Sequence, residues 1–144
     1  MVVTFARGSE AKAVRVWTVG HGSRSTEQLL NMLKESKVDT VADIRRWPTS
    51  KLDRFKRENL EQWLREAGID YVWMGETLGG YRKGGYENYM RTESFKRGLE
   101  DLLKLASKKR VCLLCLEPNP RGCHRRFISR ALHQEGIEVA HILR

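Results

Sequence analysis

The chain has 144 residues, of which 40% are hydrophobic and 31% are charged, and no apolar run is long enough to cross a membrane. This composition is typical of one globular domain and excludes a disordered chain. Lys and Arg number 27 against 18 Asp and Glu, and the resulting net charge of +9 favours a polyanionic partner, with nucleic acid first.

Strand and helix signals alternate along the chain. Strands are predicted from short β-branched or apolar runs, and helices from capping residues and apolar residues at helical spacing. In chain order they are a strand at 16–19, a helix capped by Ser25 or Thr26, a strand at 40–44, a basic irregular stretch at 45–57, a helix ending at Gly68, a strand at 71–74, a glycine-rich loop at 75–89, a helix capped by Thr92, a strand at 111–116, a helix at 124–134 and a strand at 138–142.

This alternation predicts a single α/β domain at residues 16–144, preceded by a short N-terminal tail at 1–15. Helical crossovers between successive strands predict a mostly parallel, five-stranded sheet. In such sheets ligands bind outside the carboxyl ends of the strands. We therefore expect the functional site at that edge.

Four candidate catalytic residues follow predicted strands, namely His21, Asp43, Glu76 and Glu117. A carboxylate there can act as a general base on water or stabilise a cationic transition state, as in glycosidic cleavage. With a histidine, the same carboxylates can instead hold a divalent ion for phosphodiester hydrolysis. A structural role is the alternative, and it is strongest for Asp43, which can pair with Arg45.

A second group of candidates is suited to binding phosphate or nucleic acid. Cys123, His124 and Arg125 open a predicted helix, where free N–H groups and the helix dipole attract anions. The glycine-rich loop combines aromatic and basic residues of the kind that stack on bases and hold a backbone. The further candidates in these regions are Arg24, Arg45, Arg46, Tyr81, Arg82 and Tyr89. Solvated arginines and core tyrosines are the alternative interpretation.

The three cysteines are an odd number, which argues against a secreted disulfide framework. Cys112 and Cys115 resemble half of a zinc site, but their side chains leave opposite faces of a strand. We therefore expect no metal and no cofactor, and either a Cys115–Cys123 disulfide or two free thiols. A helix-start thiol such as Cys123 would have a lowered pKa.

Several short motifs occur together in this chain. They are Gly20-His21 with Arg24-Ser25, Asp43-x-Arg45 with Pro48, Leu78-Gly79-Gly80, Tyr89-Met90-Arg91-Thr92, Cys115-x-Glu117 and Cys123-His124-Arg125. In this order they resemble the family called domain of unknown function 488, from about Trp17 to the C-terminus. Gly22 departs from that pattern, in which serine is expected. The resemblance implies a shared fold and a shared site, and it names no reaction.

These features favour an enzyme that acts on nucleic acid, with DNA preferred, by N-glycosidic cleavage of a modified or damaged base, as in DNA repair. The alternatives are a metal-dependent nuclease or nucleotide phosphohydrolase, and a non-catalytic nucleic-acid or nucleotide binding module. Charges scattered through the N-terminal stretch do not resemble a signal peptide, so we expect a cytoplasmic protein without a membrane partner. The abundance of Lys, Arg and Glu suits a thermophile.

Overall fold

The computed structural model describes residues 14–120 and 123–143. Most of the expected tail, residues 1–13, lies outside this part, and Arg15 belongs to the first strand instead of the tail. The strands are β1 (Arg15–Gly20), β2 (Thr40–Asp43), β3 (Asp70–Trp73), β4 (Val111–Cys115) and β5 (Glu138–Ile142). The helices are α1 (Thr26–Glu35), α2 (Arg57–Glu66), α3 (Gly75–Leu78), α4 (Tyr86–Tyr89), α5 (Glu93–Ala106) and α6 (Arg125–Gln134), and a 3-10 turn covers Asp53–Phe55.

The five strands form one sheet in the order β3-β2-β4-β1-β5, and every neighbouring pair is parallel. The predicted α/β fold with a parallel five-stranded sheet is therefore confirmed. The register places Gly20 beside Cys115 and Asp43 beside Leu114. Because these residues end their strands, the carboxyl ends of the three central strands meet at one edge.

Hydrophobic side chains cover both faces of the sheet. Leucines of α1 and α2, including Leu29 and Leu64, pack on one face, and α5 and α6 pack on the other through residues such as Leu102 and Ile128. The central strand β4 is buried on both faces, as its continuous apolar run predicts. Each fully buried leucine or isoleucine stabilises the fold by roughly 1.5–3 kcal/mol.

The neighbouring strands β2 and β4 direct the chain to opposite faces of the sheet. The chain after β2 continues to α2 on one face, and the chain after β4 continues to α6 on the other. Such a divergence opens a crevice at the strand ends, which is where ligands bind in sheets of this kind. Backbone hydrogen bonds hold the crevice floor beyond the strands, from His21 N–H to Cys115 C=O at 2.8 Å and from Ile44 N–H to Leu114 C=O at 3.0 Å.

The local signals for helix starts are confirmed. Ser25 forms a capping box with Gln28, and the Thr92 side chain caps α5. The predicted loop at 75–89 is only partly correct, because it contains the one-turn helices α3 and α4. Within the described residues, no helix has the length and apolar character needed to span a membrane.

Candidate functional site

A pocket of about 310 Å³ opens in the crevice between β2 and β4. Its walls are built from the segments that follow β2, α3 and β4 and from the residues that precede α6. They are Arg45, Arg46, Trp47, Thr49, Gly80, Tyr81, Cys115, Leu116, Glu117, Cys123 and His124. This volume is at the lower end of the range for small-molecule sites, so it suits a ligand of about the size of a nucleobase. Six of the predicted site residues line it, which are Arg45, Arg46, Tyr81, Glu117, Cys123 and His124.

Glu117 is the carboxylate of this pocket. It lies two residues beyond the end of β4 and is exposed to solvent. Within the described part of the chain, its carboxylate forms no hydrogen bond or ion pair, so both oxygens remain available to a ligand or a water molecule. Leu116 beside it is also exposed and adds an apolar wall.

Two exposed aromatic side chains stand at the same pocket. Trp47 is 58% exposed and Tyr81 is 83% exposed, and their ring centroids lie 5.6 Å apart. The Arg46 guanidinium lies over the Trp47 ring and also donates a 2.7 Å hydrogen bond to the Tyr81 carbonyl. Tyr81 has a φ of +60°, a conformation that few non-glycine residues adopt. Arg46 therefore links the Trp47 ring to the backbone of Tyr81 and helps to hold Tyr81 in this uncommon conformation.

Asp43 does not line the pocket. It is fully buried and accepts two hydrogen bonds from the Arg45 guanidinium, at 2.7 and 2.8 Å, and one from the Tyr71 hydroxyl. Arg45 also donates to the Phe55 carbonyl at 2.7 Å. The structure thus has the Asp43–Arg45 pairing that the shared strand parity suggested, and the expectation that Asp43 faces the pocket is wrong.

His21 is likewise a buried residue beneath the pocket. Its ring stacks on Phe55 at 4.3 Å between centroids, and its Nδ1 lies 3.0 Å from the Gly22 carbonyl oxygen. Burial lowers the pKa of His21 to about 4, against the opposing effect of the Gly22 hydrogen bond. His21 is therefore neutral near pH 7 and packs between β1 and the segment that follows β2.

Four other predicted residues have structural contacts outside the pocket. Arg24 donates to the Gly20 and Leu143 carbonyls, and Tyr89 donates to the Thr77 carbonyl. Arg82 donates to three carbonyls around α3 and covers the Tyr89 ring at 4.0 Å. The Glu76 side chain is exposed on α3 and is not among the pocket walls. Glu76, which was predicted at the same sheet edge as Glu117, therefore does not share the pocket with it.

Two thiols form the floor of the pocket. Cys115 ends β4 and Cys123 precedes α6, and their sulfurs lie 2.9 Å apart with no disulfide between them. Of the two expected states, the structure therefore shows free thiols. Cys112 faces the opposite side of the sheet, as its strand parity predicted. Cys123 Sγ accepts the Arg125 backbone N–H at 3.5 Å and lies 3.6 Å from His124 Nδ1.

Arg125 is the largest fully buried side chain of the described residues, and it does not line the pocket. Its Nη2 donates to the Pro118 carbonyl at 2.6 Å. Its Nε and Nη1 have no hydrogen-bond partner among the described residues. The expectation of a solvent-facing phosphate ligand is therefore wrong for Arg125, since its guanidinium is turned into the protein.

The sequence-based site list omitted five wall residues, namely Trp47, Thr49, Gly80, Cys115 and Leu116. Trp47 could have been predicted as a site residue, because it lies in a basic loop directly after a strand. It belongs to no apolar pattern of a strand or helix that would place it in the core. Gly80 allows His124 to approach closely, because a Cβ at Gly80 would lie 3.0 Å from His124 Nδ1. No local signal marks Thr49 or Leu116.

Among the described residues, no three His, Cys, Asp or Glu side chains come together as a metal site. No curated protein matches the chain. A family model described as Domain of unknown function DUF488 matches residues 25–132, which is most of the chain and includes every wall of the pocket. The chain therefore belongs to the DUF488 family.

Proposed function

We propose that this protein is an enzyme that binds an unpaired or extruded base of a nucleic acid and hydrolyses its N-glycosidic bond. The observation that carries the proposal is the exposed Trp47–Tyr81 pair beside a base-sized pocket that contains Glu117, whose carboxylate has no partner among residues 14–120 and 123–143. Aromatic surfaces of this kind bind bases by stacking, and enzymes that act on a base take it out of the duplex stack. The net charge of +9 supports a polyanionic substrate.

Glu117 is the catalytic carboxylate in this proposal. As a general base it takes a proton from a water molecule that attacks the anomeric carbon, and its charge stabilises the cationic sugar that develops as the base leaves. In this proposal Arg46 contacts a phosphate at the pocket mouth. Its guanidinium lies there between the Trp47 ring and the Tyr81 carbonyl. Arg45 supports the floor through its bonds to Asp43 and is a positioning residue.

The test is release of abasic sites from DNA. Duplexes and single strands that each carry one modified base are incubated with the protein, with and without EDTA, and abasic sites are measured by alkaline cleavage. Glu117→Gln should lower the rate by about a hundredfold or more, the usual size of a general-base contribution. Glu100→Gln, which changes an exposed carboxylate on α5, is the matched control and should react normally.

The outcomes separate the alternatives. Loss of activity in EDTA would overturn metal-free hydrolysis in favour of a metal-dependent enzyme. Binding by both proteins without turnover on any substrate would favour a binding module. Full activity of Glu117→Gln would remove Glu117 from the mechanism.

The aromatic pair has its own test. An oligonucleotide with one 2-aminopurine should lose fluorescence when that base stacks on Trp47 or Tyr81. Trp47→Ala and Tyr81→Asn should each weaken binding by roughly 5- to 150-fold, since stacking on one aromatic side chain contributes about 1–3 kcal/mol. Asparagine is chosen at Tyr81 because it tolerates a positive φ. Unchanged affinity in both variants would show that the base binds elsewhere.

A further inference from the structure

The floor of the pocket holds a pair of thiols that the proposed hydrolysis does not use. Cys115 is buried at the end of β4, and Cys123 is half-buried before α6, so only Cys123 is partly open to the pocket. Their sulfurs lie 2.9 Å apart, at hydrogen-bond distance. A disulfide would need them at about 2.05 Å, which is a small movement of one side chain.

The contacts of Cys123 favour its thiolate. Its sulfur receives the Arg125 backbone N–H at the start of α6 and lies beside His124 Nδ1. His124 Nε2 lies 3.1 Å from the Ile44 carbonyl oxygen, and this contact orients the ring beside Cys123. The hydrogen bond between the two thiols, opposed by burial and assisted by His124, lowers the pKa of Cys123. The same hydrogen bond and burial raise the pKa of Cys115.

Arg125 supplies a second, independent reason for negative charge here. Its guanidinium is fully buried, with Nε and Nη1 unpaired and no ion pair to a carboxylate among the described residues. A buried charge without a counter-ion costs several kcal/mol, so this position calls for a nearby anion. Its positive charge opposes the raised pKa of both Cys112 and Cys115, so the guanidinium lies near β4. Of these two thiols, only Cys115 lies beside a second sulfur, that of Cys123, with which it can share a thiolate charge.

We propose that Cys123 and Cys115 form a peroxide-reactive dithiol site, in which Cys123 is the nucleophile and Cys115 is the resolving thiol.

The Cys123 thiolate attacks one oxygen of a hydroperoxide and the O–O bond breaks. The other oxygen leaves and is protonated, giving water when the oxidant is hydrogen peroxide, and Cys123 becomes a sulfenic acid. The Cys115 sulfur then attacks the Cys123 sulfur, the S–O bond breaks, and a second water leaves as the disulfide forms. Two thiols thus give two electrons to one peroxide, and a dithiol reductant reverses the change. Reactive cysteines of this type combine a low pKa, partial exposure and a neighbouring resolving thiol.

Cys112 is an internal control for this proposal. It is fully buried on the other face of the sheet, and burial raises its pKa. It should not react with peroxide in the folded protein. Its substitution should leave the reaction of the other two thiols unchanged.

The experiment treats the reduced full chain with hydrogen peroxide and counts free thiols. The wild type should change from three free thiols to one, with a loss of two hydrogen atoms from the intact mass. Trypsin cleaves after Arg110, Arg121 and Arg125, so the disulfide should join peptide 111–121 to peptide 122–125. In Cys112→Ser the same link must involve Cys115, because no other cysteine remains in the first peptide.

The variants identify the role of each thiol. Cys115→Ser should stop at a sulfenic acid on Cys123 that dimedone traps, and Cys123→Ser should lose the fast reaction. Alkylation of wild-type Cys123 by iodoacetamide should keep its rate as the pH falls below the ordinary cysteine pKa of about 8.5, since the pKa of Cys123 is lowered. The peptide link is measured in the wild type and in Cys112→Ser, so the test does not depend on the folding of Cys115→Ser.

Equal peroxide rates in Cys123→Ser and the wild type would overturn the proposal, as would a first reaction at Cys112. An alkylation rate that falls tenfold per pH unit below the ordinary cysteine pKa of about 8.5 would also overturn it. These readouts follow thiols and not abasic sites, so they stand whether or not the proposed hydrolysis is correct.

Discussion

Asp43 lies at the end of β2, where a catalytic carboxylate was predicted, but its contacts are those of a structural residue. Removing its charge leaves the buried guanidinium of Arg45 without its counter-ion, which costs roughly 3–5 kcal/mol in comparable buried pairs. We expect Asp43→Asn to lower the free energy of unfolding by that amount, measured by urea denaturation. Tyr71→Phe removes one hydrogen bond to the same carboxylate and should cost about 1.5–3 kcal/mol. An Asp43→Asn protein with wild-type stability and no activity would instead return Asp43 to the mechanism.

His21 makes the stability of the protein depend on pH in a defined window. Burial lowers its pKa to about 4 from an ordinary value of 6.5, so the unfolded chain binds a proton more readily than the native protein between these values. Stability from this residue is therefore complete above pH 6.5 and is lost as the pH falls towards 4, by about 3 kcal/mol in all. Urea unfolding at pH 7 and pH 4.5 measures this loss. The loss should be smaller in His21→Gln, and an equal loss in both proteins would assign it to other groups.

At the scale of elements, β1 and the segment after β4 approach each other so closely that only glycine fits at Gly20. A Cβ there would lie 1.8 Å from the Glu117 carbonyl oxygen. We expect Gly20→Ala to displace that segment, to destabilise the protein by about 1–3 kcal/mol, and to weaken ligand binding in the pocket. Gly68→Ala is the control, since it has open space and a positive φ after α2 and should lower stability without changing pocket affinity. Equal binding by both variants would show that Gly20 does not position the Glu117 segment.

The sequence predicted elements better than it predicted which strand-end residues share the pocket. The spacing of apolar residues and the capping residues identify α1 and α5, because both signals come from residues close together in the sequence. The one-turn helices α3 and α4 were not predicted from the sequence, because Gly75 and Gly85 are typical of a loop. The helical turn of α4 depends on the burial of Tyr86, which is a tertiary contact. The predicted parallel topology correctly placed the segments after β2 and β4 at one edge of the sheet. It could not decide between a catalytic Asp43 and an Asp43 paired with Arg45, and it could not show that the buried Arg125 lacks a carboxylate partner among the described residues, since both depend on tertiary contacts.

At the scale of the whole molecule, the position of the pocket follows from the strand order. Because β2 and β4 are neighbours whose following segments diverge, loops from four parts of the chain surround one crevice. One wall carries the aromatic and basic residues Arg46 and Trp47, and another carries Cys123 and His124. Under the two proposals, the nucleic-acid contact surface and the reactive thiol share this pocket, so we expect a bound polyanion to shield Cys123 from solvent.

The net charge of +9 should act mainly through basic side chains at the carboxyl edge of the sheet. Lys51 and Lys83 are exposed in the loops that carry Trp47 and Tyr81, whereas Lys104 and Lys108 are exposed near the end of α5, before β4 begins. Each phosphate contact contributes roughly −0.9 to the slope of log affinity against log salt on duplex DNA and about −0.7 on single strands. We expect the Lys51→Ala, Lys83→Ala double variant to flatten this slope by about 1–2, measured by fluorescence anisotropy between low and high salt. The Lys104→Ala, Lys108→Ala double variant removes the same charge at the opposite edge and should keep the wild-type slope.

If both variants flatten it equally, binding depends on net charge alone and the pocket edge is not the contact surface. An affinity that does not change with salt would remove nucleic acid as the partner.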